Sequence, residues 1–105
     1  MRHISVAELA RMLKEGKRLV LLDVREAWEV GLAPFPGMTW IPMGQITERM
    51  TELDKAAETV VICHHGIRSW RVAKFLEHEG FANVINLTGG IDAWSKEIDS
   101  SIPLY

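Results

Sequence analysis

The stretch TVVICHHGIRSW, residues 59–70, decides how this chain is read. An apolar run from Thr59 to Cys63 passes into a short polar link, Cys63 to Arg68, and then into a segment with helical spacing. A brief, nearly unbroken apolar run rich in β-branched residues marks a strand covered on both faces, as in a parallel sheet. The only cysteine of the 105 residues stands at the carboxyl end of that strand. In open α/β sheets ligands bind beyond the carboxyl ends of the strands. Cys63 is therefore a candidate nucleophile, set against the alternative of a small buried apolar side chain.

Working outward, LVLLDV (19–24) and VINL (84–87) are two further runs of the same kind. Segments that can be helical separate them: 45–53, 69–79 with Gly80 as its stop, and the region of Ala93 and Trp94 after Gly89 and Gly90. Near the N-terminus, ISVAEL carries a helix start in full. Ser5 is the N-cap, Glu8 closes a capping box, and Ile4 is placed to pack on Leu9. Val6, Leu9, Ala10 and Leu13 then repeat at helical spacing up to Gly16. Residues 31–44, GLAPFPGMTWIPMG, hold three prolines and three glycines and read as loop, with a short edge strand at Trp40 and Ile41. This alternation predicts an α/β fold, a parallel sheet with helices on both faces.

With 48% hydrophobic and 25% charged residues the composition is that of one globular domain, 1–105, able to fold without a disulfide or metal staple. A net charge of −2 with dispersed basic residues points away from nucleic acid and from anionic membranes. A single cysteine excludes an intramolecular disulfide, and the N-terminus lacks the pattern of a signal peptide, so a reducing cytoplasm is the expected setting. A monomer or weak homodimer is expected.

The link after Cys63 carries the chemistry. Gly66 permits the positive φ of a tight loop whose amides point inward, and the following helix adds unpaired N–H groups and a partial positive charge. Arg68 supplies a permanent charge at the rim, read as part anion binding and part loop structure, with a purely salt-bridged residue at the helix start as the alternative. His64 and His65 supply charges that depend on pH. All of these favour a negative charge on the sulfur, which makes Cys63 a ready nucleophile. CHHG is not a Cys-x-x-Cys motif, so dithiol exchange within the chain is excluded.

CHHGIRS resembles the active-site loop of rhodanese-like sulfurtransferases, Cys-x-x-Gly-x-Arg-Ser/Thr, and LLDVRE (21–26), PGMTWIP (36–42) and LTGGIDAW (87–94) fit the same family in the same order. The resemblance implies a five-stranded parallel sheet of order 1-5-4-2-3. It implies that Cys63 carries sulfur as a persulfide held by the amides of residues 64–68, with His64, His65, Gly66, Ile67, Arg68 and Ser69 forming the binding loop. The thiolate would attack the outer sulfur of a donor such as thiosulfate and expel sulfite, and an acceptor thiol, cyanide or protein would then remove the sulfur. No metal and no cofactor is implied. The chain departs from the family pattern at Phe35, where a histidine is common, and at Met38, in place of alanine. Its C-terminal EIDSSIPLY is similar to the tail of such domains where they accompany sulfur-carrier activation enzymes, which implies delivery to a protein acceptor.

Other residues carry two readings each. Asp23 follows its strand at the same sheet edge as Cys63 and is expected to be structural, while Arg25 either reaches the mouth of the pocket or pairs with a carboxylate elsewhere. Trp70 lies off the apolar face of its helix, so it lines the pocket mouth or a partner surface, or is partly buried under a loop. Trp28, Trp40 and Trp94 are expected to pack. His64 and His65 read as exposed loop residues rather than catalytic bases, because an ionised thiolate needs none; His3 and His78 show no metal-site spacing. A cysteine phosphatase or arsenate reductase would use Cys-x5-Arg, one residue longer than the Cys-x4-Arg present. A non-catalytic binding or regulatory module of the same fold would usually lack the cysteine.

Overall fold

The computed structural model describes residues 1–105. Five parallel strands form one sheet in the order β1-β5-β4-β2-β3: β1 Arg2–Ile4, β2 Val20–Asp23, β3 Thr39–Trp40, β4 Glu58–Ile62 and β5 Asn83–Leu87. The expected topology is met. The helices are α1 Val6–Lys14, α2 Ala27–Leu32, α3 Ile46–Arg49, α4 Ile67–His78 and α5 Gly90–Glu97.

Side chains of successive strand residues point to opposite faces, and the central strands feed two cores in that way. Val60 and Ile62 of β4, Leu21 of β2, and Ile85 and Leu87 of β5 pack with Val6, Leu9 and Met12 of α1 and with Ile91 and Trp94 of α5. Val61 and Cys63, with Leu22 and Val84, face Val72, Ala73 and Leu76 of α4 and Ile46 of α3. Residues 19–24 and 59–63 read as nearly unbroken apolar runs for this reason: the sheet is covered on both faces.

Ser5 caps α1 by accepting from the Glu8 amide at 3.2 Å, and the Glu8 carboxylate accepts from the Ser5 amide in return. Beyond Glu15, the amides of Gly16 and Lys17 reach back to the carbonyls of Leu13 and Met12, and this pair of bonds ends the helix.

Several local expectations are corrected. The span 45–53 is no single helix: α3 has four residues flanked by 3-10 turns at Met43–Gln45 and Met50–Glu52. α4 begins two residues before Ser69, at Ile67. The edge strand β3 comprises Thr39 and Trp40 and stops short of Ile41. Helix α2 and strand β1 have no counterpart in the residue-by-residue reading. β1 spans three residues, two of them exposed, and exists through its pairing with Ile85, Asn86 and Leu87. Trp28 does not pack into a core; it is 65% exposed. No helix is long and apolar enough to cross a membrane.

Candidate functional site

The carboxyl ends of β2 and β4 bring Asp23, Arg25 and Cys63 to one edge of the sheet, and α2, α4 and α5 close around them. Cys63 is 1% exposed. It is one of five residues, Cys63, His64, His65, Ile67 and Arg68, that line an open pocket of about 260 Å³. The Gly66 amide donates to Sγ at 3.0 Å, and Gly66 has φ 105°, the left-handed region the loop was expected to need there.

The orientation of the loop is imposed by α5. The first-turn amides of Ile91 and Asp92 donate to the carbonyls of Cys63 (2.9 Å) and His64 (3.0 Å). Two N–H groups that a helix start leaves without partners are thereby satisfied, and the two loop carbonyls are taken up by α5. The approach is so close that Gly90, at φ 57°, has no room for a side chain.

Beneath the sulfur runs a buried polar chain. The Cys63 thiol lies 3.3 Å from Ser69 Oγ, which donates to Asn86 Oδ1 at 2.6 Å. Asn86 Nδ2 in turn donates to the Gly66 carbonyl at 3.4 Å. Ser69 thus ties the cysteine to β5, and Asn86 ties β5 back to the loop. Asn86 sits inside the apolar run VINL and gave no sequence signal beyond being a polar residue in a buried strand.

Of the readings of Arg68, the salt-bridged residue at the helix start is the one observed. Its guanidinium meets the Glu29 carboxylate side by side, Nη1 to Oε1 at 2.5 Å and Nη2 to Oε2 at 2.7 Å. Glu29 comes from α2 and is 3% exposed. The hydrogen bonds from Arg68, with further ones from the Glu26 amide and Tyr105, hold its carboxyl down to about 2 against the opposing effect of burial. The same pairing raises the Arg68 pKa. Neither Glu29 nor Tyr105 was singled out from the sequence; Glu29 is one acid among many in a segment with no helical signature.

Arg25 does not reach the pocket. It is wholly buried, as is Asp23, whose carboxylate receives Nη2 at 2.7 Å and Nε at 3.0 and 3.1 Å. The remaining guanidinium N–H groups go to the carbonyls of Ala33 at 2.8 Å and Glu29 at 3.4 Å and to the Tyr105 hydroxyl at 3.1 Å. Of the two readings of Arg25, pairing with a carboxylate is the one observed, and both residues are struts behind the site.

The C-terminal segment folds back over the site. Ile102 is buried in the α1/α5 core, and the Tyr105 hydroxyl donates to Glu29 Oε2 at 2.9 Å. The Tyr105 ring stacks on His64, with centroids 3.8 Å apart and planes 7° apart, and His65 lies against His64 at 3.9 Å. Burial, and then the charge of His65, lower the His64 pKa; burial raises Tyr105 to about 12.

His64, His65 and Asp92 bring ligand-type atoms within 4.8 Å of one another, a grouping not visible from their positions in the sequence. The two imidazoles are tilted by 33° with their ring centroids only 3.9 Å apart, and Asp92 is already held by Lys96 at 2.9 Å. This is not a preorganised metal site.

Trp70 lies outside the pocket lining; it is 41% exposed with the Lys74 ammonium 5.0 Å above its ring. Phe35, at the divergent position, is a core residue packed on Trp94 with centroids 4.9 Å apart. A smaller pocket of about 100 Å³ opens at the amino ends of β4 and β5. Its acids are already paired, Glu58 with Arg2 and Lys17 and Glu77 with the N-terminal amine.

Parallel strands in this order, with a cysteine loop leading from β4 into α4, define one class of domain. The sequence profile described as Rhodanese-like domain matches residues 5–97, and the chain belongs to that family. It is 43% identical over 96 residues to YtwF of Bacillus subtilis (strain 168), a candidate sulfurtransferase by name, covering 91% of this chain and 92% of that one. A protein of Allochromatium vinosum named sulfurtransferase is 32% identical over 93 residues, covering 89% and 87% of the two chains. The crystal structure of a rhodanese-like domain protein from Staphylococcus aureus superposes with a TM-score of 0.86 at 30% identity, over 100% of this chain and 99% of the other.

Proposed function

We propose that this domain transfers sulfane sulfur through a persulfide on Cys63. The observation that carries the reading is the Gly66 amide donating to Sγ of a cysteine that lines an open pocket, with the neighbouring loop carbonyls taken up by the amides of α5. A nucleophile so placed attacks the outer sulfur of a donor, and the negative charge then moves to the new terminal sulfur. That sulfur would lie in the space bounded by His64, His65, Ile67 and Arg68, at the N-terminus of the twelve-residue helix α4. Preorganised amides and the helix dipole stabilise charge that develops there. An acceptor thiol, cyanide or protein thiol completes the cycle. No step calls for a metal or cofactor.

Two other readings fit less well. A phosphatase or arsenate reductase needs its arginine free to clasp a tetrahedral oxyanion, whereas both terminal nitrogens of Arg68 are on Glu29. A non-catalytic module has no use for a cysteine that lines a pocket and accepts from a loop amide.

Intact-mass spectrometry after incubation with a sulfane-sulfur donor tests the reading. The wild type should gain the mass of one sulfur atom, which cyanide then removes, and Cys63→Ser should gain none. An unmodified wild type, or the same adduct on Cys63→Ser, overturns it.

A further inference from the structure

Resting on the sulfur-transfer reading above, we infer that this site takes its sulfur from organic persulfides, R–S–SH, in preference to thiosulfate, because Glu29 has already matched the positive charge of Arg68. Arg68, the one arginine or lysine that lines the pocket, is paired with a carboxylate, and so are Arg25 and Lys96 outside the lining. Arg68 is on Glu29 at 2.5 and 2.7 Å, Arg25 on Asp23 at 2.7 Å, and Lys96 on Asp92 at 2.9 Å. The Glu29 carboxyl, held down to about 2, stays ionised throughout the working range. His64 is uncharged near neutrality, since burial lowers its pKa below an ordinary value of 6.5.

A dianion gains little from such a surface. Thiosulfate is a dianion with charge on both the sulfur under attack and the sulfonate oxygens, and its leaving group departs as sulfite carrying two charges, beside an arginine already neutralised by a fixed carboxylate. Like-charge placement of this kind is how binding sites discriminate. An organic persulfide has no fixed charge at that point. Its R group also finds apolar surface: Ile67 lines the pocket and is 67% exposed. Trp28, 65% exposed, stands edge-on to Tyr105 at 5.8 Å, and Tyr105 covers His64.

In the step itself the Cys63 thiolate attacks the outer sulfur of R–S–SH. A new S–S bond forms at Cys63 as the donor's S–S bond breaks, and the electron pair leaves on the RS sulfur. That sulfur takes the proton of the former persulfide. The products are R–SH and Cys63–S–S⁻, with no external oxidant or reductant.

The test compares the rates at which purified protein gains one sulfur atom from thiosulfate and from cysteine persulfide prepared from cystine and sulfide. In the wild type the persulfide should react faster by about tenfold or more, and Glu29→Gln should narrow the ratio by about threefold or more as Arg68 is freed of its fixed anion. A wild type that loads from thiosulfate as fast or faster overturns the inference and leaves sulfur transfer standing. An unchanged ratio in a folded Glu29→Gln overturns the role given to Glu29. If neither donor adds sulfur to Cys63, both readings fall. The wild-type ratio needs no variant, so the preference is decided even if Glu29→Gln does not fold.

Discussion

Gly90 lies so close to the loop of Cys63 that a methyl group on it would stand 2.5 Å from the Cys63 carbonyl oxygen. Twenty-seven positions apart in the chain, the two residues form the seam along which α5 holds the loop, through the Ile91 and Asp92 amides. The glycine is required on two counts, its φ of 57° and this approach.

Gly90→Ala should therefore cost about 2–4 kcal/mol, combining a left-handed backbone with overpacking. Gly37→Ala is the matching control, because Gly37 has φ 72° but no neighbour within 4 Å and should lose only about 1–2 kcal/mol. Urea unfolding of the two variants checks this, and sulfur loading on Cys63 should be impaired in Gly90→Ala alone.

Asp23 and Arg25 are both wholly buried. Asp23→Asn leaves the guanidinium charged without its carboxylate and should destabilise by about 3–5 kcal/mol. Replacing both residues with apolar ones of similar size, Asp23→Leu with Arg25→Met, should cost less than the single change, which a double-mutant cycle by chemical denaturation measures. Equal costs would mean that the pair is not the source of the loss.

Ser69 has no exposed surface and bridges Cys63 Sγ to Asn86 Oδ1. Ser69→Ala leaves the Asn86 oxygen buried without a donor and should lower stability by about 1–3 kcal/mol. Because the loop loses its link to β5, sulfur loading on Cys63 should slow as well, read by the same mass assay on folded protein.

Two acid transitions should be separable. The Glu29 carboxyl goes from an ordinary value of 4.5 to about 2 on folding, so its contribution is complete above 4.5 and is lost as the pH falls towards 2. His64 is shifted below its ordinary 6.5, so the unfolded chain binds its proton first, and stability falls as the pH drops below 6.5. Urea midpoints followed from neutral to acid pH should show Glu29→Gln losing the lower transition and His64→Asn the upper one.

Much of the framework was legible in the sequence because its signals are local. The Ser5 and Glu8 box, the apolar runs of β2, β4 and β5, and the strand-to-helix link after Cys63 each lie within a few residues, and each is found in the structure. β1 and α2 were not legible. A three-residue strand exists through pairing with residues more than eighty positions away, and α2 buries only Glu29, so it has no apolar periodicity to detect.

The site divides in the same way. The sequence by itself determined that a cysteine ends a buried strand, that a glycine lets the loop curl after it, and that a helix begins there, since backbone preference and hydrophobic burial act between near neighbours. Tertiary structure alone decided how those parts are charged and held. Arg68 was free to serve any anion until α2 delivered Glu29, 39 positions away, and Tyr105 came 76 positions to bond the same carboxylate. Electrostatic partnership depends on distance in space, and no spacing along the chain encodes it.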